Sequence, residues 1–285
     1  MPDLSDLRQE IDAIDDQIHD LIQRRTHVVE QVRAEKGDNA QYMRPAREAE
    51  ILRRLIQRHH GAFPINSLVR MWREMISSLT VMQGPLSVAV YAPGNQTGLW
   101  DVARDHYGVE VPLEPVRSPM AVLRAITDGS ATVGVLPLPE MHEDKPWWPS
   151  LVTDDQAGFK VVGMLPFQSA GNARSETRQG MVVAPQAPEA TGDDRSLLAL
   201  HLTEGISRDR LNQALAQVKA EPTAFLGQVI GLANDEDRLE LIELAGFLEA
   251  DGPTLSKLKR ELGDICLRLD TIGAYATPVS LPDPS

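Results

Sequence analysis

The chain has 285 residues, 42% of them apolar and 24% charged, with a formal net charge of −13 and one cysteine. That length exceeds one ordinary domain, lone Cys266 excludes an internal disulfide and any multi-cysteine metal site, and no stretch approaches the ~18 consecutive apolar residues of a membrane helix. Residues 1–83 hold 12 Lys+Arg against 13 Asp+Glu, a net of −1, so the remaining 16 and 28 carry −12; an arginine-rich front on an acidic body argues against nucleic acid as a partner and leaves small anions open.

The first predicted element is a single helix, Leu4–Lys36. Leu4, Leu7, Ile11, Ile14, Ile18, Leu21, Val28 and Val32 recur at spacings of three and four, the seam of a helix that packs lengthwise on others. At 1.5 Å per residue it is roughly 50 Å long, too long for one small domain to cover, so a partner helix of similar length is expected. Arg25 occupies a seam position where Leu is expected. Lys36 follows it by close to three turns and projects to a similar side. Arg8 precedes it by roughly 25 Å along the axis, out of reach of the same small ligand within one straight helix but within reach of the pocket of an antiparallel twin. From the seam alone Arg25 reads equally well as a snorkelling side chain in a plain coiled coil.

Gly37-Asp38-Asn39 ends this helix, and Pro45 opens a second that runs to about residue 60, with Gly61 as its cap. A third begins near Ser67, carries Leu68, Met71, Trp72, Met75, Ile76 and Leu79, and stops at Gly84-Pro85. Met71, Met75 and Met82 read as core residues. The period then changes. Residues 86–91 read as a buried strand, 94–98 as a polar turn, 99–107 as a helix, 109–116 as a strand, 118–128 as a helix and 131–138 as a strand. This βαβαβ order implies a parallel sheet. Residues 143–155 form an acidic, irregular connection, and their Trp147-Trp148 pair reads as packing rather than a ligand platform. Strands at 159–165 and 180–184 follow, separated by a polar stretch. From Arg195 the order is strand 197–202, helix 208–218, strand 228–233, strand 239–247, helix 253–262 and strand 267–275, the βαββαβ ferredoxin-like split unit.

The polar residues of the first module that could carry chemistry are Arg8, Arg25, Lys36, Arg47, Glu48 and Gln83. Arginines and a lysine on otherwise apolar helices fit a dianionic ligand, because guanidinium forks bind carboxylates bidentately. No nucleophile is paired with a base, so a site here works by positioning and electrostatics. His59-His60 read as a solvated helix end rather than metal ligands.

Leu7-Arg8-Gln9-Glu10-Ile11-Asp12-Ala13-Ile14-Asp15, Arg24-Arg25, Glu35-Lys36 and Arg44-Pro45-Ala46-Arg47-Glu48-Ala49-Glu50-Ile51-Leu52 closely resemble the all-helical chorismate mutases. The resemblance implies an intertwined dimer of three-helix subunits that turns chorismate into prephenate by an intramolecular Claisen rearrangement, without cofactor or metal. It further implies that Arg25 and the partner subunit's Arg8 clamp the two substrate carboxylates, Lys36 and Gln83 hydrogen-bond the ether oxygen, Glu48 holds the ring hydroxyl and Arg47 supports the site. Two positions depart from the family pattern. Arg44 stands where many relatives have an acid, and Leu79 where some have a carboxylate-binding serine, with Ser78 rotated by about 100° from it.

The rest of the chain is similar to the bifunctional mutase/prephenate dehydratase layout, through Pro85-Leu86-Ser87-Val88-Ala89-Val90-Tyr91, residues 121–129 and Val133-Gly134-Val135-Leu136-Pro137-Leu138. The dehydratase usually has two lobes, and between Phe167 and Gly180 there is no room for the second. Its threonine-arginine-phenylalanine signature is reduced to Thr177-Arg178 followed by Gln179, and the turn after the first strand is altered to Ala92-Pro93-Gly94-Asn95-Gln96-Thr97. The last module resembles an ACT domain without its glycine-alanine-leucine turn and glutamate-serine-arginine-proline element, which weighs against phenylalanine as the amino-acid effector there. The expected organisation is therefore an all-α mutase module at residues 1–84, a one-lobed, non-catalytic dehydratase-like α/β module at 85–190, and an ACT-like module at 191–285. The expected protein is a soluble, cytoplasmic homodimer, since the start, Met1-Pro2-Asp3-Leu4-Ser5-Asp6, has no basic region followed by an apolar run. An isochorismate pyruvate-lyase, and a catalytically silent dimeric sensor on the same helices, are the alternative readings.

Overall fold

The computed structural model describes residues 3–37, 41–94, 97–141, 143–153, 158–168, 179–203, 206–231 and 237–280. The readings made of Asp38 and Asn39, Asn95 and Gln96, Thr177 and Arg178, and Ala233 lie outside them.

Three helices come first, α1 (Leu4–Lys36), α2 (Pro45–Arg58) and α3 (Ile65–Gln83). A capping box starts α1, Asp3 accepting from the first turn while Asp6 accepts from the Asp3 amide, which satisfies N–H groups that have no partner within the helix. Pro45 occupies the first turn of α2, where its missing N–H costs nothing. The second helix ends at Arg58, before Gly61, and α3 begins two residues earlier than its pattern suggested.

Behind them lie β1 (Val88–Tyr91), α4 (Gly98–Tyr107), β2 (Leu113–Val116), α5 (Pro119–Thr127), β3 (Val133–Pro137), β4 (Lys160–Leu165), β5 (Gly180–Ala184), β6 (Asp194–Leu202), α6 (Arg208–Gln217), β7 (Pro222–Ile230), β8 (Arg238–Ala245), α7 (Pro253–Leu262) and β9 (Cys266–Ala276). All nine strands form one sheet, in the order β2-β1-β3-β5-β4-β9-β6-β8-β7. β1 runs parallel to β2 and β3, as the βαβαβ pattern implies. β5 is antiparallel to β3 and β4, and β9-β6-β8-β7 are antiparallel throughout, the split βαββαβ arrangement. The sequence suggested two separate sheets; they are joined by β4 and β9, which run parallel with Val161 opposite Gly273. A Cβ at Gly273 would lie 2.3 Å from the Val161 carbonyl oxygen, so only glycine lets the two backbones meet there.

Alternation along the strands feeds opposite faces. Val88 and Val90 join Leu99, Val102 and Tyr107 of α4, whereas Ala89 joins Val122, Leu123 and Ile126 of α5. Trp147 and Trp148, both fully buried, fill the latter cluster and tie it to Leu197, Leu239 and Leu241; Trp147 Nε1 donates to the Pro137 carbonyl at 3.1 Å. Packing is thus their role. The opposite face of β6 and β8 is covered by α6 and α7.

The helical front rests on this sheet through α2 and α3. Ala49, Leu52 and Val69 cluster with Phe167 and Ala276. Arg53 donates to Thr191 Oγ1 at 2.8 Å and to the carbonyls of Asp193 and Thr277, and Arg70 pairs with Asp105 of α4. Among the described residues, no helix is long and apolar enough to cross a membrane.

Candidate active site

None of the residues of α1 is buried. Its seam is exposed from end to end, from Leu7 at 41% to Leu21 at 62%. The exception to this bareness is the stretch that begins at Arg25, which is half-buried together with Thr26 and Val29. The Arg25 Nη1 atom is sealed from solvent and has no hydrogen-bond partner among the described residues, and burial pushes the Arg25 pKa down. A guanidinium without an acceptor in a partly dry place is costly and is the condition an incoming carboxylate would relieve.

The C-terminal end of α1 is tied to that of α3 by Arg33, whose Nη1 donates to the Met82 carbonyl at 2.8 Å. That bond brings exposed Lys36 and half-buried Gln83 to the same end of the module. Gln83 Nε2 donates to the Leu79 carbonyl at 3.0 Å, a bond within its own helix that a ligand oxygen could replace. Arg25 lies roughly 12 Å before Arg33 along α1. Arg8 is exposed on the first turns of α1 and is not brought to this end by its own chain.

Glu48 and Arg47 part company. Arg47 is exposed and pairs with Glu50 at 2.8 Å. Glu48 turns the other way, into a buried pair with Arg73 of α3, Nη1 to Oε2 at 2.8 Å. Desolvation pushes the Glu48 pKa up and the Arg73 guanidinium opposes that; burial pushes the Arg73 pKa down. His106, 3.4 Å from Arg73 Nη1, is held neutral, its pKa driven well below the usual range by burial and by the neighbouring cation. The Tyr107 hydroxyl is pushed up by burial. A cavity of about 30 Å³ remains among Glu48, Arg73, His106, Tyr107 and Phe167, room for roughly one water.

Arg73 escaped the sequence reading because it interrupts a run rich in methionine and tryptophan. Its signal was its spacing from Val69, Ile76 and Thr80, by four, three and seven residues, which puts all four on one buried face. None of the three methionines read as core is buried within the chain: Met71 is 52% exposed, Met82 45%, and Met75 is half-buried. The departures have local explanations. Arg44 Nη2 donates to both carboxylate oxygens of Glu189, each at 3.0 Å, linking the start of α2 to the segment before β6. Leu79 is buried, and the Ser78 hydroxyl donates to the Glu74 carbonyl, so it offers no substitute. His59 Nε2 lies 2.7 Å from the Phe63 carbonyl oxygen, and no group of three or more His, Cys, Asp or Glu placed to hold a metal occurs among the described residues.

Residues 7–84 match the family described as chorismate mutase type II. Over 146 residues the chain is 30% identical to the bifunctional chorismate mutase/prephenate dehydratase of Stutzerimonas stutzeri, a match that covers 49% of this chain and 40% of that protein. Over 101 residues it is 34% identical to the protein of the same description from Neisseria gonorrhoeae, covering 35% and 27%. The matches thus span two fifths or less of these relatives. In fold the chain is similar to the prephenate dehydratase of Streptococcus mutans, with a TM-score of 0.50 at 16% identity, covering 69% of this chain and 100% of that one. The chain therefore carries at residues 7–84 a helical segment that matches chorismate mutase type II, followed by a large mixed sheet of prephenate dehydratase-like fold, and resembles the bifunctional chorismate mutase/prephenate dehydratases.

Proposed function

We propose that the chain is a chorismate mutase that acts as a homodimer, with its rear modules structural or regulatory. The observation that carries the reading is the match over residues 7–84 together with half-buried Arg25, whose Nη1 is sealed from solvent without a hydrogen-bond partner among the described residues, on a helix whose apolar seam is uncovered. A second α1 laid antiparallel on the first covers that seam and delivers Arg8 of the partner subunit to the Arg25 end. The two guanidiniums then clamp the two carboxylates of chorismate and hold it folded, with the reacting carbons in contact. Lys36 and Gln83 donate to the ether oxygen, which gains negative charge as its bond breaks, and Glu48 accepts from the ring hydroxyl. Arg47 supplies positive potential from the rim. A unimolecular rearrangement needs no proton transfer and no cofactor; conformer selection and preorganised charge suffice.

Dehydratase activity is absent from this proposal. In the sheet Leu165 of β4 stands opposite Gly180 of β5, so the chain leaves one strand and returns beside it, without the length for a second lobe between them. The βαββαβ module is assigned an ACT-like regulatory role, with a small amino acid as the ligand class.

The test is an assay of the full chain for conversion of chorismate to prephenate. Turnover is expected, with Arg25→Ala lowering kcat/KM by on the order of 10²–10³, as for the loss of one transition-state donor. Turnover unaffected by Arg25→Ala would remove the site assignment, and salicylate formed from isochorismate would indicate the lyase instead.

A further inference from the structure

The carboxylate of Glu48 does not stand alone. Its Oε2 accepts from Arg73, which leaves Oε1 as the oxygen that the mutase reading offers to a substrate hydroxyl. The Glu48 side chain is 15% exposed and that of Arg73 3%. Arg73 is held in turn from the rear module. Its guanidinium carbon lies 5.1 Å from the centre of the Phe167 ring, beyond the end of β4, and its Nη1 lies 3.4 Å from Nε2 of His106 on α4. Tyr107 of α4 closes the same small cavity. A buried ion pair of this kind is a poor source of stability, since desolvation offsets its attraction. It does restrict direction: a carboxylate bonded through one oxygen to a guanidinium that itself lies over a ring has limited freedom to turn.

We propose that Arg73 is a positioning residue for the mutase reaction, aiming the Glu48 carboxylate at the ring hydroxyl, and that the α/β module sets this aim through Phe167 and His106. The proposal rests on the mutase reading above. It gives the rear module a part in the first reaction that requires no chemistry of its own. The charged and titratable groups that face Glu48 are Arg73 from α3 and His106 and Tyr107 from α4; on the sheet side Val162, Met164 and Leu165 are apolar. With His106 neutral, Arg73 alone opposes the desolvation that favours protonated Glu48.

The experiment is a pH profile of kcat and KM for chorismate on the full chain, comparing wild type with Arg73→Gln, Arg73→Lys, Phe167→Leu, Glu48→Gln and the Glu48→Gln/Arg73→Gln pair. Arg73→Gln is expected to lower kcat on the order of 10- to 100-fold, the scale of a misplaced contact, and to move the acid limb of the profile to higher pH because Glu48 takes up a proton more readily. Arg73→Lys should recover part of both effects. Phe167→Leu should move the limb the same way by less. In the Glu48→Gln background Arg73→Gln should cost little more, since the two act through one contact. A folded Arg73→Gln chain with wild-type kcat and profile, or losses that multiply in the double variant, would overturn the positioning role while leaving the mutase reading intact. Should Arg73→Gln fail to fold, Arg73→Lys and Phe167→Leu decide, and unchanged profiles in both overturn it. A wild-type chain without turnover would overturn the mutase reading and this inference together.

Discussion

Two arginines of the helical module lose contact with water, Arg73 as a whole and Arg25 in part, and they differ in what faces them. Arg73 has a carboxylate in contact; the sealed Nη1 of Arg25 has no hydrogen-bond partner among the described residues. A paired buried cation is neutralised in place, whereas an unpaired one keeps its charge for a ligand. The neighbour of the pair, His106, supplies a stability prediction. Its pKa is depressed in the folded chain, so on acidification the unfolded chain binds a proton that the folded chain refuses. Stability contributed by this site is complete above the ordinary histidine value near 6.5 and is lost as pH falls below it, by up to about 1.4 kcal/mol per pH unit. Denaturation followed between pH 7 and 5 should show that slope in wild type and a shallower one in His106→Gln; equal slopes would contradict it. At this scale Arg25 was legible because a heptad pattern names the residue that breaks it. Arg73 was not, because its partner Glu48 is 25 residues away and His106 belongs to another module.

At the scale of elements, α1 was readable to its ends, since its seam, caps and length agree. The helices and most strands followed their periods to within a few residues. β7 did not. A strand was expected at 228–233 and occurs at Pro222–Ile230, where it lies at the sheet edge with register shifts between Pro222 and Ala224 and between Phe225 and Gly227. Such bulges break the period-two alternation that sequence reading relies on. The exposed seam of α1 makes the clearest element-level prediction. Ile14 is 48% exposed within its own chain, so Ile14→Glu should leave the protomer folded and abolish the proposed dimer. Sedimentation should then shift from twice the 31.4 kDa chain mass to the single chain, with mutase activity lost in parallel because Arg8 no longer reaches a neighbour. An active variant of monomer mass would contradict the shared site.

For the whole molecule, one nine-stranded sheet was out of reach of the sequence. Its seam is a parallel pairing of β4 with β9 across more than a hundred residues, with Gly273 the lone local sign and the reason for it visible only once Val161 is seen against it. The front helices are bonded through Arg53 and Arg44 to the segments that flank β6 and β9, so the helical segment and the dehydratase-like body share an interface that the Glu48–Arg73 pair occupies. The central claim is a mutase site built from two chains, and co-expression of two inactive variants tests it. In a dimer of Arg8→Ala with Arg25→Ala, one site keeps both arginines and the other has neither. Random pairing in a symmetric dimer makes half the dimers mixed, so about a quarter of wild-type activity should return. Recovery to that level is the predicted result, and no recovery in demonstrably mixed dimers would contradict the account.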